Sequence, residues 1–242
     1  MKKSAIVVGS GFGGISAALR MKSLGYDVSI YEKLNQLGGR ARVLKKAGFT
    51  FDAGPTVITA PFLFDELFSI FGKERVNYVK FVELEPWYRF YFSSNNKVFN
   101  YSSSLKVTEK EISKFNKDDI AGYNELLKFS EKIFNVGFNK LSFVPFHNFF
   151  FMIKQIPTLI KLKSYLSVFQ LVSKFIKNEQ IRQAFSIQPL LLGGNPIETT
   201  SIYNLIHFLE RKWGVHYAIG GTGKIIKSFE KLMKEEKIKI IK

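Results

Sequence analysis

The sequence predicts an α/β fold, a Rossmann-like domain interrupted by a largely helical one. Three observations carry that prediction. In the first 32 residues an apolar β-branched run, a glycine-rich turn, a helical pattern, a second apolar run and an acid follow in order. From about Phe90 to Glu210 the apolar spacing is mostly helical, and the remainder returns to a glycine turn, a helix and a short apolar strand. The predicted boundaries are 1–89 for the first part of the nucleotide-binding domain, 90–210 for the inserted domain and 211–242 for the return.

Residues Ser4 to Val8 read as a buried parallel strand and run directly into Gly9-Ser10-Gly11-Phe12-Gly13-Gly14. Ile15, Ala18, Leu19, Met21 and Leu24 then repeat with helical spacing until Gly25, and a second strand, Val28 to Tyr31, is closed by Glu32. This order suits a dinucleotide. Gly9 permits the tight turn, Gly11 lets the backbone approach a pyrophosphate, and Gly14 lets the helix pack closely on the strand. The phosphates meet the unpaired N–H groups at the positive end of the helix. Glu32, 18 residues past Gly14, can accept hydrogen bonds from ribose hydroxyls and repels a 2′-phosphate, which disfavours NADP.

Gly38-Gly39-Arg40 adds two flexible residues and a cation suited to the far side of a pyrophosphate, with a solvated surface charge as the alternative for Arg40. Gly48 to Thr56 reads as a short strand ending in a turn at Asp52, Gly54 and Pro55, for which plain turn chemistry is the alternative.

Together, Gly9 to Gly14, Glu32, Gly38-Gly39-Arg40 and Phe51-Asp52-Ala53-Gly54-Pro55-Thr56 resemble the flavin amine oxidase and carotenoid desaturase superfamily. Phe49 to Ile58 looks like the bacterial and fungal type of phytoene desaturase. Arg182 to Phe185, Leu192 to Pro196, Ser201 to Tyr203, Glu210 to Val215 and Gly220 to Gly223 extend the resemblance along the chain. It implies an FAD-binding domain interrupted by a substrate and membrane domain. Gly9, Gly11, Phe12, Gly13, Gly14, Glu32, Gly38, Gly39, Arg40, Asp52, Gly54 and Pro55 are the residues it implies for FAD. The implied activity is stepwise dehydrogenation of a membrane-dissolved C40 polyene toward lycopene or a related carotenoid, with hydride passing to the flavin N5 and quinone or oxygen as electron acceptor. A carotenoid isomerase or oxidase of the same flavin branch is the enzymatic alternative. An incomplete piece that only associates with membrane is the alternative of a different class. The sequence identifies no catalytic base, and Phe151 and Lys154 stand where some relatives place an acid and an arginine, so no acid–base role is expected of that region. The 242 residues are roughly half the length the resemblance implies, and no further glycine-rich flavin segment precedes Lys242.

Composition bounds the partners. The net charge of +16 comes from 29 Lys and 7 Arg against 20 acids, and with abundant Ile, Phe and Asn it carries the stamp of A/T-rich codons. Distribution is more informative: between Glu131 and Glu179 there is no acid, while Lys132, Lys140, Lys154, Lys161, Lys163, Lys174, Lys177 and nine Phe fall inside. A forty-carbon hydrocarbon is held in a bilayer by roughly 30 kcal/mol, at about 0.8 kcal/mol per CH₂, so an enzyme acting on it must dock on lipid. Each Lys near an anionic surface adds about 1 kcal/mol. Residues from about Phe134 to Phe175 are therefore expected to form the membrane-contacting entrance of a hydrocarbon tunnel, with Phe core packing as the alternative. The basic stretch lacks helix-turn-helix, zinc and RNA-recognition patterns, so nucleic acid is not an expected partner.

The expected location is cytoplasmic with peripheral membrane association. The apolar run after Met-Lys-Lys stops at Gly9, short of a signal peptide, and Leu141 to Ile160 is too broken by Pro145, His147, Lys154, Gln155 and Pro157 to span a bilayer. With no Cys, disulfides, iron–sulfur clusters and a thiol nucleophile are excluded for these residues. His147, His207 and His216 are scattered, and no metal site is expected. Asp118 or Asp119 is the expected N-cap of a helix through Glu125, Phe129 and Lys132, with Pro145 and Pro157 cutting the region that follows. Gly220 to Lys224 fails the phosphate-loop pattern at Ala218 and Ile225 and reads as a turn opening a helix Lys224 to Glu236, before a strand Ile238 to Ile241 that returns to the sheet.

Overall fold

The computed structural model describes residues 3–142, 144–145 and 149–242. The chain divides into two compact units, Met1–Glu83 with His216–Lys242, and Leu84–Val215.

The first unit opens with β1 (Ser4–Val8), α1 (Phe12–Ser23) and β2 (Asp27–Tyr31). The strands are parallel, Ser4 opposite Asp27 and Val8 opposite Tyr31. The hairpin β3 (Val43–Lys46) and β4 (Phe49–Asp52) follows, then α2 (Pro61–Ser69) and β5 (Phe81–Glu83). Ala5, Val7, Val28 and Ile30 point to one face, where Ile15, Leu19, Phe68, Phe229, Leu232 and Met233 form the core. Each of these large side chains contributes roughly 1.5–3 kcal/mol by burial. The expectation that Ser4 to Val8 is buried is corrected. β1 lies at the edge of a three-stranded sheet, and its alternate residues Ile6 and Val8 are 68% and 85% exposed. One face of β1 is covered, and a strand's successive side chains point to opposite faces.

The second unit runs through β6 (Tyr88–Phe92), β7 (Lys97–Tyr101), α3 (Leu105–Ser113), α4 (Asp119–Val136), α5 (Phe149–Lys161), α6 (Val168–Val172), α7 (Glu179–Ala184) and α8 (Leu205–Trp213). Residues from Phe90 to Tyr101, expected in a helical region, form an antiparallel hairpin instead, with Phe90 opposite Phe99. Aromatic cross-strand pairs hold it. Asp118 precedes α4 but makes no side-chain cap, and the buried Asp119 carboxylate accepts the N–H groups of Lys177 and Asn178 at 2.7 and 2.8 Å. Pro157 does not cut the chain, since it lies inside α5. Phe143, Phe146 and His147 fall outside the described residues.

An aromatic cluster of Trp87, Phe99, Tyr101, Tyr123 and Phe185 fills this unit, with Tyr123 and Phe185 stacked at 4.7 Å. Arg211 on α8 lies over the Trp87 and Tyr101 rings. Its guanidinium donates to Tyr123 Oη, the Ser102 and Ser103 carbonyls and Thr108 Oγ1, all at 2.8–2.9 Å.

The chain then returns to the first unit with β8 (His216–Ala218), paired antiparallel with β5, α9 (Gly221–Glu235) and β9 (Lys239–Ile241). β9 pairs parallel with β2, so the sheet order is β1-β2-β9. The helix begins three residues earlier than the sequence indicates, at the glycine turn itself.

Candidate cofactor-binding site

The strand-to-helix turn after β1 has Gly9 at φ +90°, a conformation open to glycine, with its N–H donating to Tyr31 O at 2.7 Å. Gly11 is the N-cap of α1 and offers no capping side chain, and no acid lies in the first helical turn. The N–H groups that open the helix are thus left to whatever approaches them. A Cβ placed at Gly9, Gly11 or Gly13 meets nothing within 4 Å. Space is open above the loop. Gly14 is different: a Cβ there falls on the Gly9 carbonyl oxygen, so helix and strand touch at this point.

Three further segments converge on this loop. Gly38 N–H donates to Ser10 O at 2.9 Å, and a Cβ on Gly39 would lie 3.2 Å from Gly11 Cα. Gly54 packs on the same turn, where a Cβ would lie 2.5 Å from Ala41 Cα and 2.7 Å from Arg40 O. The Arg40 side chain is exposed. Phe12 and Pro55 face a small apolar cleft of about 160 Å³ with Ile58, Leu63, Phe64 and Ile225. The third of these segments is the start of α9, where Ile226 Cγ1 lies 2.9 Å from a Cβ placed on Gly38.

Glu32 sits at the end of β2 with both carboxylate oxygens engaged. Oε2 accepts Ser10 N–H at 2.9 Å and Ser10 Oγ at 2.5 Å, and Oε1 accepts Leu34 N–H at 3.0 Å. The Ser10 side-chain bond, then the Ser10 and Leu34 backbone bonds, hold this carboxyl below the usual range, so it is an anion at neutral pH. Oxygens held in this way keep lone pairs for hydroxyl donors.

Asp52 has a different place. Its carboxylate accepts Thr222 N–H at 3.1 Å and Gly223 N–H at 3.4 Å, while Thr222 Oγ1 donates to Pro55 O at 3.0 Å. It caps α9 from β4, a negative group at a positive helix end. A second cleft of about 640 Å³ opens beside this junction, lined by Arg42, Lys45, Lys224, Lys227 and Lys242 with Asp52 and Glu230.

Glycine loop, Glu32, Gly38 to Arg40 and Asp52 to Pro55 are therefore neighbours within one unit. Ser10, Leu34 and Thr222 escaped sequence reading. Ser10 is a small polar residue in a glycine loop, but its partner is 22 residues away, and that of Thr222 is 170 away. An open loop, a helix N-terminus without a cap, a fixed carboxylate and an exposed cation together fit a pyrophosphate with a ribose beside it.

Residues 12–240 match the family model described as flavin containing amine oxidoreductase. The chain is 44% identical over 233 residues to a lycopene-forming phytoene desaturase of Pantoea ananas, covering 96% of this chain and 47% of that protein. A neurosporene-forming phytoene desaturase of Rhodobacter capsulatus is 34% identical over 232 residues, with 96% and 44% covered. Among solved structures, a protein of Pyrococcus furiosus superposes with a TM-score of 0.62 at 20% identity, covering 98% of this chain and 50% of that one. The chain spans about half the length of the curated relatives it matches.

Proposed function

The chain belongs to the flavin containing amine oxidoreductase family, and from that premise we propose that it supplies the FAD site and part of the substrate domain of a carotenoid desaturase acting on phytoene. The observation that carries the cofactor reading is the meeting of Gly11 and Gly39 under open space, with Glu32 pinned beside them by Ser10. In this reading the α1 N–H groups and Arg40 bind the pyrophosphate, Glu32 accepts the ribose hydroxyls, and Gly54 and Pro55 keep the Gly38 to Ala41 turn in place. Asp52 contributes by capping α9 rather than by touching the cofactor. Phe12, Ile58, Leu63 and Phe64 give an apolar wall that excludes water. Bound FAD supplies the acceptor for the hydride that leaves the polyene. The FAD-binding domain is then the unit split between Met1–Glu83 and His216–Lys242, and Leu84–Val215 is the domain inserted in it.

A chimera tests this. This chain replaces the matching half of the Pantoea ananas enzyme, and the product is expressed in a phytoene-making host. The expected result is a flavin-containing protein and coloured cells, with colour and flavin both lost in the Glu32→Ala version. A folded, flavin-loaded chimera that leaves phytoene unchanged defeats the substrate assignment. A folded chimera that takes up no FAD defeats the cofactor assignment.

The membrane surface belongs to α5 in this reading. Phe149, Phe150, Met152, Ile153, Ile156 and Ile160 are all exposed, and the helix has no buried residue. Phe134, at one edge of the stretch expected to meet lipid, is 1% exposed and packs against Phe138, Phe208 and Trp213, so the lipid contact is narrower than Phe134 to Phe175. Lys154 and Lys161 are exposed on the same helix. No helix among the described residues is long and apolar enough to cross a bilayer. Reversing Lys154 and Lys161 to Glu is expected to weaken flotation with anionic vesicles roughly thirtyfold, at about 1 kcal/mol per Lys. Lys163 is left in place because its ammonium lies over the Phe129 ring. Undiminished flotation removes α5 from the surface.

A further inference from the structure

The cleft of about 640 Å³ beside the β4–α9 junction belongs to the first unit, and neither Gly9 to Gly14, nor Glu32, nor Gly38 to Arg40 lines it. Its walls are the β3–β4 hairpin and α9. In the hairpin Val43 stands opposite Asp52 and Lys45 opposite Thr50, and alternate residues of a strand share a face, so these four turn to one side. That side meets the start of α9. Asp52 accepts the Thr222 and Gly223 N–H groups, and a Cβ on Gly223 would fall on Val43 Cγ2. The buried Leu37, Ala41 and Ile226 give the cleft an apolar floor.

The charge around this cleft is one-sided. Arg42 and Lys45 line it from the hairpin side and Lys224 and Lys227 from α9. Among the described residues none of these four side chains makes an ion pair or a hydrogen bond. Both acidic side chains on the lining are engaged elsewhere, Asp52 with the α9 N–H groups and Glu230 with Lys234 at 2.9 Å. The same helix offers a comparison. Its later lysines, Lys231 and Lys234, are matched to Glu235 and Glu230, whereas Lys227 is left alone although Glu230 stands at a spacing that suits a pair. Lys224 closes the first turn of α9, where the positive helix end favours an anion over a lysine, and that turn contains no acid. Lysine-rich codon usage scatters cations over a surface. It does not gather the unpaired ones around one concavity.

We propose that this cleft is an anion site separate from the glycine loop and that it binds an oligophosphate, a ligand with two or more linked phosphate groups. Its volume suits a small molecule rather than a lone ion. Four cations on two walls match a phosphate chain of several charges. Arg42 presents a planar fork that can pair two phosphate oxygens at once, while the three lysines act as point charges. Asn35 and Gln36 add amide donors and acceptors at the rim, and the apolar floor takes the organic part of such a ligand. The site does not depend on the assignment of FAD to the glycine loop. A soluble nucleotide and a lipid headgroup with two phosphates both carry this chemistry.

Calorimetric titration of the full chain with inorganic triphosphate, with and without saturating FAD, tests the site. The wild type is expected to bind triphosphate under both conditions, and inorganic phosphate at least about tenfold more weakly. Arg42→Gln with Lys227→Gln, and separately Lys45→Gln with Lys224→Gln, are each expected to weaken triphosphate binding about tenfold through the loss of two ion pairs. These side chains are exposed, so both variants keep the fold. Lys22→Gln with Lys80→Gln removes the same charge from the same unit outside the cleft and is expected to bind as the wild type does. Flotation with phosphatidylcholine vesicles carrying cardiolipin assigns the source: a loss confined to the cleft variants marks a lipid headgroup, and unchanged flotation marks a soluble ligand. No triphosphate binding by the folded wild type, equal weakening in the Lys22 and Lys80 control, or binding that disappears on saturation with FAD overturns the proposal.

Discussion

Gly14→Ala is expected to cost the protein both its flavin and a large part of the stability of the unit that β1 opens. The added methyl group falls on the Gly9 carbonyl oxygen, with Val7 Cγ1 a further 3.5 Å contact. Gly9 cannot yield easily, because its N–H is bonded to Tyr31 O in the parallel ladder. Relief requires α1 to lift off β1, which opens the contact of Ile15 and Leu19 with Val28 and Ile30. Overpacking of this kind costs roughly 1–3 kcal/mol, and more where only backbone can move. The same displacement moves the α1 N–H groups away from the loop. Urea unfolding and the flavin absorbance of purified protein read both effects. Gly13→Ala is the control: its Cβ meets nothing within 4 Å, and its unfolding midpoint is expected to stay at or above that of the wild type. Equal losses in the two variants count against the helix–strand contact as the cause.

Arg211→Met carries the other large effect. Its removal breaks four hydrogen bonds, to the Ser102 and Ser103 carbonyls, Thr108 Oγ1 and Tyr123 Oη, which together join the end of β7, α3 and α4 to α8. Ser102 and Thr108 keep their bonds to each other and Tyr123 Oη keeps Tyr101 Oη, but none of these bonds reaches α8. Methionine refills much of the volume over Trp87 and Tyr101 but offers no hydrogen. A hydrogen bond to a charged donor contributes about 1.5–3 kcal/mol, so with four lost and partial rescue by the remaining partners and by water a loss of at least ~3 kcal/mol is expected. Against a total stability of about 5–15 kcal/mol this is enough to populate an unfolded second unit. Near-ultraviolet circular dichroism of the Trp87 and Tyr cluster in urea measures it. Arg211→Lys is expected to recover little, because one ammonium cannot reach four acceptors set around a planar fork. Wild-type stability in Arg211→Met contradicts the assignment of Arg211 as the tie.

What was legible in the sequence is what is local. The turn from Gly9 to Gly14, its flanking strands and Glu32 occupy one stretch, and the spacing of glycine, helix and acid reflects a single ligand-shaped demand. The stretch from Phe90 to Tyr101 reads as helical in sequence because Phe90, Tyr91 and Phe92 crowd both faces with aromatics, which erases the two-residue alternation. Asp119 is acidic and stands at a helix start, so it imitates a cap. Its oxygens instead reach Lys177 and Asn178, a partnership that spacing along the chain cannot announce. Asp52 shows the same limit from the other side: its place beside the glycine segments was visible, but its work on α9 depends on a residue 170 positions later. Exposure of β1 was also hidden, since an apolar run looks alike whether one face or both are covered.

The open side of β1 bears on how this chain behaves in concentrated solution. Ile6, Val8, Tyr31 and Ile241 share a face that nothing among the described residues covers, and the outer edge of β1 has no strand partner there. The segment has no proline and no charge to blunt it. The net charge of +16 repels other copies at long range, but at physiological salt that repulsion fades over about 8 Å. Strands pair at about 4.8 Å, inside the screened zone. The edge of β1 is therefore a point where two copies are expected to pair, in addition to the exposed apolar face of α5, and raising the lysine count elsewhere does little to protect it.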